Sequence, residues 1–144
     1  MIRFFAVDTR KFLALLGAMF AFTLLAACSS KKPENTVKSY LQAVADKRFE
    51  DATMCLTPDD VKGDDLLLLK EKLPELLNHQ YMMIKENDGL KSLSLKFVDK
   101  NDDIAHADVK IEFINDKTIE THMTLIRESG KWKIKLEKIQ VEQF

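Results

Sequence analysis

This chain of 144 residues has few of the side chains that usually carry local chemistry: two cysteines, three histidines, one tryptophan, and only four glycines and three prolines. Two cysteines allow at most a single disulfide bridge, not a disulfide framework. No histidine or cysteine spacing suits zinc, and neither a phosphate-binding loop nor a nucleophile elbow is present. No charge sign dominates either. Twenty-two Lys and Arg against 23 Asp and Glu leave a formal net charge of −1, which gives no basic face for nucleic acid. A membrane span needs about 20 consecutive apolar residues, and the one long apolar run, Phe12 to Ala27, is shorter.

What that run does have is a leader's layout. Arg3, Arg10 and Lys11 precede the apolar core from Phe12 to Leu25, and two small residues then lead into Cys28. This is the pattern of a cleaved secretory signal, with Asp8 its only unusual feature. Removing residues 1–27 leaves 117 residues, enough for one domain with a core and too few for two.

The tetrad Leu25-Ala26-Ala27-Cys28 resembles the lipobox of bacterial lipoprotein precursors. That resemblance implies a diacylglyceryl thioether on the Cys28 sulfur and cleavage immediately before it, with Leu25, Ala26 and Ala27 read by enzymes at the bilayer surface. Each buried methylene contributes about 0.8 kcal/mol, so two or three acyl chains hold a protein on a membrane essentially permanently. Ser29 after the cysteine implies sorting to the outer membrane, with the domain facing the periplasm. The expected organisation is therefore a signal peptide over 1–27, a lipidated N-terminus and tether over 28–35, and one α+β domain over 36–144. With Cys28 acylated, Cys55 has no internal mate. Its neighbours Ala52, Met54 and Leu56 are apolar and no cation adjoins it, which favours a buried small hydrophobe over a reactive thiol.

Pro33 suits a first helical turn, and Val37, Tyr40, Leu41 and Val44 recur at helical spacing. Phe49, Ala52 and Leu56 predict a second, short helix ending before Pro58. Asp64 and Asp65 open a third through Leu66–Leu69, which Pro74 either kinks or divides, and whose stripe of Leu73, Leu76, Leu77, Tyr81 and Ile84 stops at Asn87-Asp88-Gly89. From Leu90 the period becomes two. Leu93, Leu95 and Phe97 mark one strand, and Ala105 to Phe113 mark the next. Ile119 to Leu125 form a third and Trp132 to Leu136 a fourth, with a bulge expected near Glu137-Lys138. A two-residue Ser129-Gly130 turn pairs Arg127 with Trp132 and Leu125 with Ile134. A three-residue loop at Asn115–Lys117 pairs Phe113 with Ile119 and Val109 with Met123, and the 99–103 loop pairs Phe97 with Ala105. The expected fold is α+β, with N-terminal helices packed on one face of a curved four-stranded antiparallel sheet.

Two stretches carry a further likeness. Pro33, Val37, Tyr40-Leu41, Ala43-Val44, Phe49 and Ala52 resemble the opening helix of the nuclear transport factor 2-like, or cystatin-like, superfamily. Residues Arg127-Glu128-Ser129-Gly130-Lys131-Trp132-Lys133-Ile134 resemble its closing hairpin. More narrowly, the chain is similar to that group's small bacterial lipoproteins of unknown function. The resemblance implies a cone-like sheet with a cleft between helices and sheet, for which Tyr40, Tyr81, Thr121 and Trp132 are the candidate lining residues. It also implies a choice of roles: some relatives are isomerases or dehydratases, others only bind, and the fold does not choose between them.

An acid–base enzyme needs a polar group on the inward face, and Thr121 is the one clear exception to an apolar set there. His106 and His122 alternate outward, the latter beside Lys110 and Glu137. His79 and Tyr81 sit two apart on a helix, so they point to different sides. The segment Asp99-Lys100-Asn101-Asp102-Asp103 begins like a calcium loop, but Ile104 and Lys110 stand where glycine and a bidentate glutamate are required. No metal or cofactor is expected. The reading the sequence favours is a lipid-anchored, non-catalytic module that binds an apolar ligand or an envelope protein. The alternative is a small isomerase-like or hydrolase-like enzyme using His79, Tyr81 or Thr121, and a third is a homodimer through the sheet.

Overall fold

A computed structural model describes Cys28 and residues 31–136. Residues 1–27, where a signal peptide is expected, Ser29 and Ser30, and the bulge expected at Glu137-Lys138 lie outside these residues. Among the described residues, three helices and five strands follow in the order α1 (Pro33–Ala45), α2 (Phe49–Met54), β1 (Leu56–Thr57), α3 (Asp64–Glu86), β2 (Leu90–Lys100), β3 (Ile104–Phe113), β4 (Thr118–Glu128) and β5 (Lys131–Lys135).

Helix α1 takes in Pro33, Glu34 and Asn35, residues assigned above to the tether. Pro33 sits in its first turn, where a missing N–H costs nothing. Its buried residues, Pro33, Thr36, Val37, Tyr40, Leu41, Ala43 and Val44, recur every three or four positions and form one face. Helix α3 runs unbroken through Pro74, burying Leu69, Leu76, Leu77 and Ile84. The proline neither ends nor divides it, and the lost backbone bond is carried by the rest of a 23-residue helix. Its stop is built as expected. Asp88 and Gly89 both take positive φ, the Gly89 N–H donates to Ile84 O at 2.9 Å, and Asn87 Nδ2 donates to Met83 O at 2.7 Å.

The sheet corrects the expected fold class. It is five-stranded and mixed, in the order β1-β5-β4-β3-β2, and it is neither closed nor strongly curled, so the curved four-stranded antiparallel cone is overturned. The extra strand is β1, placed by sequence at the end of the second helix. It runs parallel to β5, pairing Leu56 with Ile134 and Thr57 with Lys135. Ile134 N–H donates to Cys55 O at 2.8 Å and Leu136 N–H to Thr57 O at 2.9 Å. Two residues cannot display a period of two, which is why the pattern missed them.

The β4–β5 hairpin has the expected register, with Arg127 opposite Trp132 and Leu125 opposite Ile134. The other two pairings slide by two residues. Ile111, not Phe113, faces Ile119, and Val109 faces Thr121; Phe97 faces Ala107 rather than Ala105. A shift of two preserves which side each residue faces, so hydrophobic alternation cannot detect it. Turn chemistry decides instead: Phe113 N–H bonds to Lys117 O and Asp116 N–H to Phe113 O, lengthening the loop at the expense of the strands. A register change between Phe97 and Asp99 leaves Val98 largely exposed.

The core lies between the helices and the inner sheet face. Ala105, Ala107, Val109, Ile111, Phe113, Leu125, Trp132 and Ile134 meet Val37, Tyr40, Leu41, Val44, Ala52, Leu77 and Ile84. Truncating a fully buried phenylalanine such as Phe113 costs about 3–5 kcal/mol.

Candidate functional site

A cavity of about 250 Å³ opens between α3, the middle of α1 and the inner faces of β2, β3 and β4. Its walls are mainly apolar: Leu41, Leu76, Met83, Ile84, Leu90, Ile111, Phe113, Ile119 and Met123. Four polar side chains join them, namely Tyr40, Gln80, His79 and Thr121. Helical spacing explains four contributions, since Leu76, His79, Gln80 and Met83 lie on one side of α3. Thr121 comes from β4, where it pairs with Val109.

Tyr40 is buried and donates its hydroxyl hydrogen bond to Gln80 Oε1 at 2.5 Å. Burial pushes its pKa well above the ordinary tyrosine value, and the bond to Gln80 offsets only part of this. The phenol therefore stays neutral. Gln80 and Thr121 are half-buried, while His79 is exposed at the mouth.

Of the four residues expected to line a cleft, Tyr40 and Thr121 do so and Tyr81 and Trp132 do not. Tyr81 follows Gln80 on the helix and is turned away. It packs edge-on to Phe49 with ring centroids 6.2 Å apart, and the ammonium groups of Lys47 and Lys85 stand 5.3 and 6.0 Å from its ring centroid. Trp132 is buried in the core, and its carbonyl accepts a hydrogen bond from Thr36 Oγ1 at 3.1 Å. His79 was named only in the alternative reading, and Gln80 was missed. A glutamine on a predominantly apolar helix face is the signal that could have found it.

The remaining histidines lie on the outer sheet face. His106 Nδ1 is 3.2 Å from Thr124 Oγ1. The two-residue register shift sets His122 opposite Asp108 instead of Lys110, and the two side chains form an ion pair when the ring is protonated. Glu137 lies outside the described residues. Lys96, Lys110 and Glu120 complete a polar surface around this pair.

A shallower groove of about 510 Å³ between α1 and β2 is lined by Lys38, Arg48 and Lys91 over Leu41, Leu93 and Ile111. Two of its cations are already matched. Arg48 pairs with Asp51 at 2.9 Å and Asp46 at 3.3 Å, and Lys91 pairs with Asp116 at 3.0 Å and Glu112 at 3.3 Å. The hydrogen bonds that the Lys91 ammonium donates to Asp116 and Glu112 raise its pKa.

Cys55 is buried as expected. Its sulfur is bonded to that of Cys28. The acyl thioether expected on the Cys28 sulfur would exclude this bond and leave Cys55 without an internal mate. Leu25, Ala26 and Ala27 lie outside the described residues. Among the described residues no helix is long and apolar enough to cross a membrane, and no cluster of three or more His, Cys, Asp or Glu is placed to hold a metal ion.

No protein-family model matches the chain, and no curated protein matches it closely enough to argue from. Among solved structures it is similar to a Campylobacter jejuni protein described provisionally as an NTF2-like transpeptidase. The two superpose with a TM-score of 0.64 at 19% identity, covering 74% of this chain and 99% of that one. At that identity the likeness concerns the fold, which is NTF2-like.

Proposed function

We propose that this domain is a small acid–base enzyme, isomerase-like or hydrolase-like, whose substrate is a compact and mainly apolar molecule carrying one carbonyl or hydroxyl group. The observation that carries this reading is the cavity itself: an apolar pocket with His79 at its mouth and the Tyr40–Gln80 pair on its wall. A filled apolar core with every histidine outside would have spoken for a non-catalytic module. An imidazole is the side chain best suited to moving a proton near neutral pH, and His79 is in position to exchange protons with both solvent and substrate. Tyr40 spends its proton on Gln80 Oε1, which leaves the Gln80 amide N–H groups to hold a substrate oxygen. The volume, a little below the roughly 300 Å³ at which drug-sized pockets begin, limits the substrate to a small one.

The reading is tested by assaying the protein and its His79→Gln variant on two probes. These are hydrolysis of short-chain nitrophenyl esters and deuterium exchange beside the carbonyl of small cyclic ketones. The expected result is a rate above buffer on one probe that falls about 10²-fold or more in the variant, with probe binding retained. Equal rates for the two proteins would overturn it.

The setting we propose is the bacterial envelope, with Cys28 acylated, the chain anchored to the outer membrane and the domain facing the periplasm. The leader and the Leu25–Cys28 tetrad support this. Mass analysis of the mature N-terminus tests it, and an unmodified cysteine in envelope-derived protein would sink it. A homodimer through the sheet would have to bury the polar surface around Asp108 and His122, and sedimentation of the mature chain at increasing concentration would reveal one.

A further inference from the structure

Cys28 and Cys55 meet at the start of α1, with their Cα atoms 5.1 Å apart and their sulfurs bonded. The Cα separation is an ordinary one for a disulfide. Cys28 is only 5% exposed and Cys55 only 1%. The Cys28 sulfur also lies 3.9 Å from Thr36 O, and the Cys55 sulfur lies 3.5 Å from Asp51 O. Each sulfur is thus part of the other's cover, and Thr36 and Val37 beside them are fully buried.

We propose that acylation of Cys28 and its bond to Cys55 are exclusive fates of one sulfur, and that acylation uncovers Cys55 as a thiol able to form mixed disulfides. The proposal rests on the reading of Cys28 as the lipid attachment site. A sulfur forms two bonds: Cβ takes one, and the other goes either to Cys55 or to a glyceryl carbon. An acylated Cys28 cannot keep its seat, because the acyl chains belong in the bilayer and a residue so enclosed offers them no exit. Its withdrawal strips from Cys55 the sulfur that covers it.

The chemistry balances in both states. In the unacylated chain the Cys55 thiolate attacks a disulfide of an oxidising thiol–disulfide oxidoreductase, expelling one of its sulfurs as thiolate. Cys28 then displaces the other, so the chain loses two electrons and two protons, which the donor gains as a dithiol. In the acylated chain the thioether cannot exchange. Cys55 attacks a small disulfide such as glutathione disulfide, forming one mixed disulfide and releasing one glutathione.

Two forms of the chain test this: the acylated protein extracted from membranes in detergent, and residues 28–144 exported behind a leader lacking Leu25-Ala26-Ala27. Each is alkylated under native conditions before and after reduction, treated separately with glutathione disulfide, and weighed intact. The acylated form is expected to carry the lipid mass, to label once at Cys55 without denaturant or reductant, and to gain one glutathione. The unacylated form is expected to show no thiol until reduced and two thereafter. An acylated form whose Cys55 labels only after denaturation overturns the uncovering, and an unacylated form with two thiols before reduction overturns the pairing. Membrane-derived protein with no lipid mass overturns the anchoring reading and the exclusivity with it, a failure the mass reports independently of the thiol count.

Discussion

Tyr40 on α1 and Gln80 on α3, forty residues apart in the chain, share a hydrogen bond of 2.5 Å at the wall of the internal cavity. The bond joins the two helices across the cavity wall. It also fixes the amide of Gln80, so one interaction serves both stability and the proposed site.

Replacing the donor should therefore be costly. Tyr40→Phe leaves Gln80 Oε1 without its partner in a half-buried position, and urea unfolding should show a loss of about 1–3 kcal/mol. Adding Gln80→Leu should recover part of it, because the stranded acceptor is then gone. The same residue shapes the alkaline limb. The folded chain keeps the Tyr40 proton past the ordinary tyrosine pKa of about 10, while the unfolded chain releases it. Above that pH the unfolded state binds fewer protons, so stability falls as pH rises through the folded value and is unaffected by this group below about 10. Tyr40→Phe should flatten that decline, and an unchanged slope would show that the phenol is not buried.

Gly89 ends α3 with φ +109°, and a Cβ there would stand 3.3 Å from Ile114 Cδ1. Ile114 is more than half exposed and can give way, so the backbone carries most of the penalty. Gly89→Ala is expected to destabilise by about 1–2 kcal/mol. The double variant with Ile114→Ala should recover little; full recovery in thermal melts would assign the cost to the side-chain clash instead.

The cavity can be tested by filling it. Thr121→Leu adds apolar volume to a wall position and removes a hydroxyl. If the space is open, the melting temperature should hold or rise and probe binding should disappear. In a core already packed tight the same change would cost about 1–3 kcal/mol through overpacking.

Much of this was legible beforehand. The face of α1 and the inward strand residues follow from spacing, because burial on one side imposes a period that sequence preserves. The β4–β5 register follows too, since Ser129-Gly130 leaves two residues for the turn and both take positive φ. What escaped was information that period does not carry. A slide of two residues leaves every face unchanged, yet it decides that His122 meets Asp108. Leu56-Thr57 is too short to show alternation and acquires its strand form only from β5. The site divided the same way. Thr121 stands out as a polar group on an apolar strand face and Tyr40 enters through the resemblance, whereas the place of Tyr81 depends on one 100° step around α3, and that of Gln80 on a tertiary contact with Tyr40, 40 residues away in the chain.

The short parallel strand makes a final prediction. Thr57 is buried, and its hydroxyl donates to Glu128 Oε1 at 2.5 Å, linking β1 to the end of β4 across β5. Nearby, a hydrogen bond from Lys135 holds the Asp60 carboxyl below the ordinary carboxylate range, so the strand is flanked by a polar tie on either side. The two are not equal in weight. Asp60 is solvent-exposed and its pair is screened, whereas the Thr57 donor is enclosed and its acceptor is charged, a combination worth about 1.5–3 kcal/mol. Thr57→Val should therefore destabilise by roughly that amount, while Glu128→Gln, which keeps an acceptor oxygen but removes the charge, should cost less. A double-mutant cycle measured by chemical unfolding isolates the pair. A coupling energy near zero would mean that β1 is held by its backbone bonds to Ile134 and Leu136 alone.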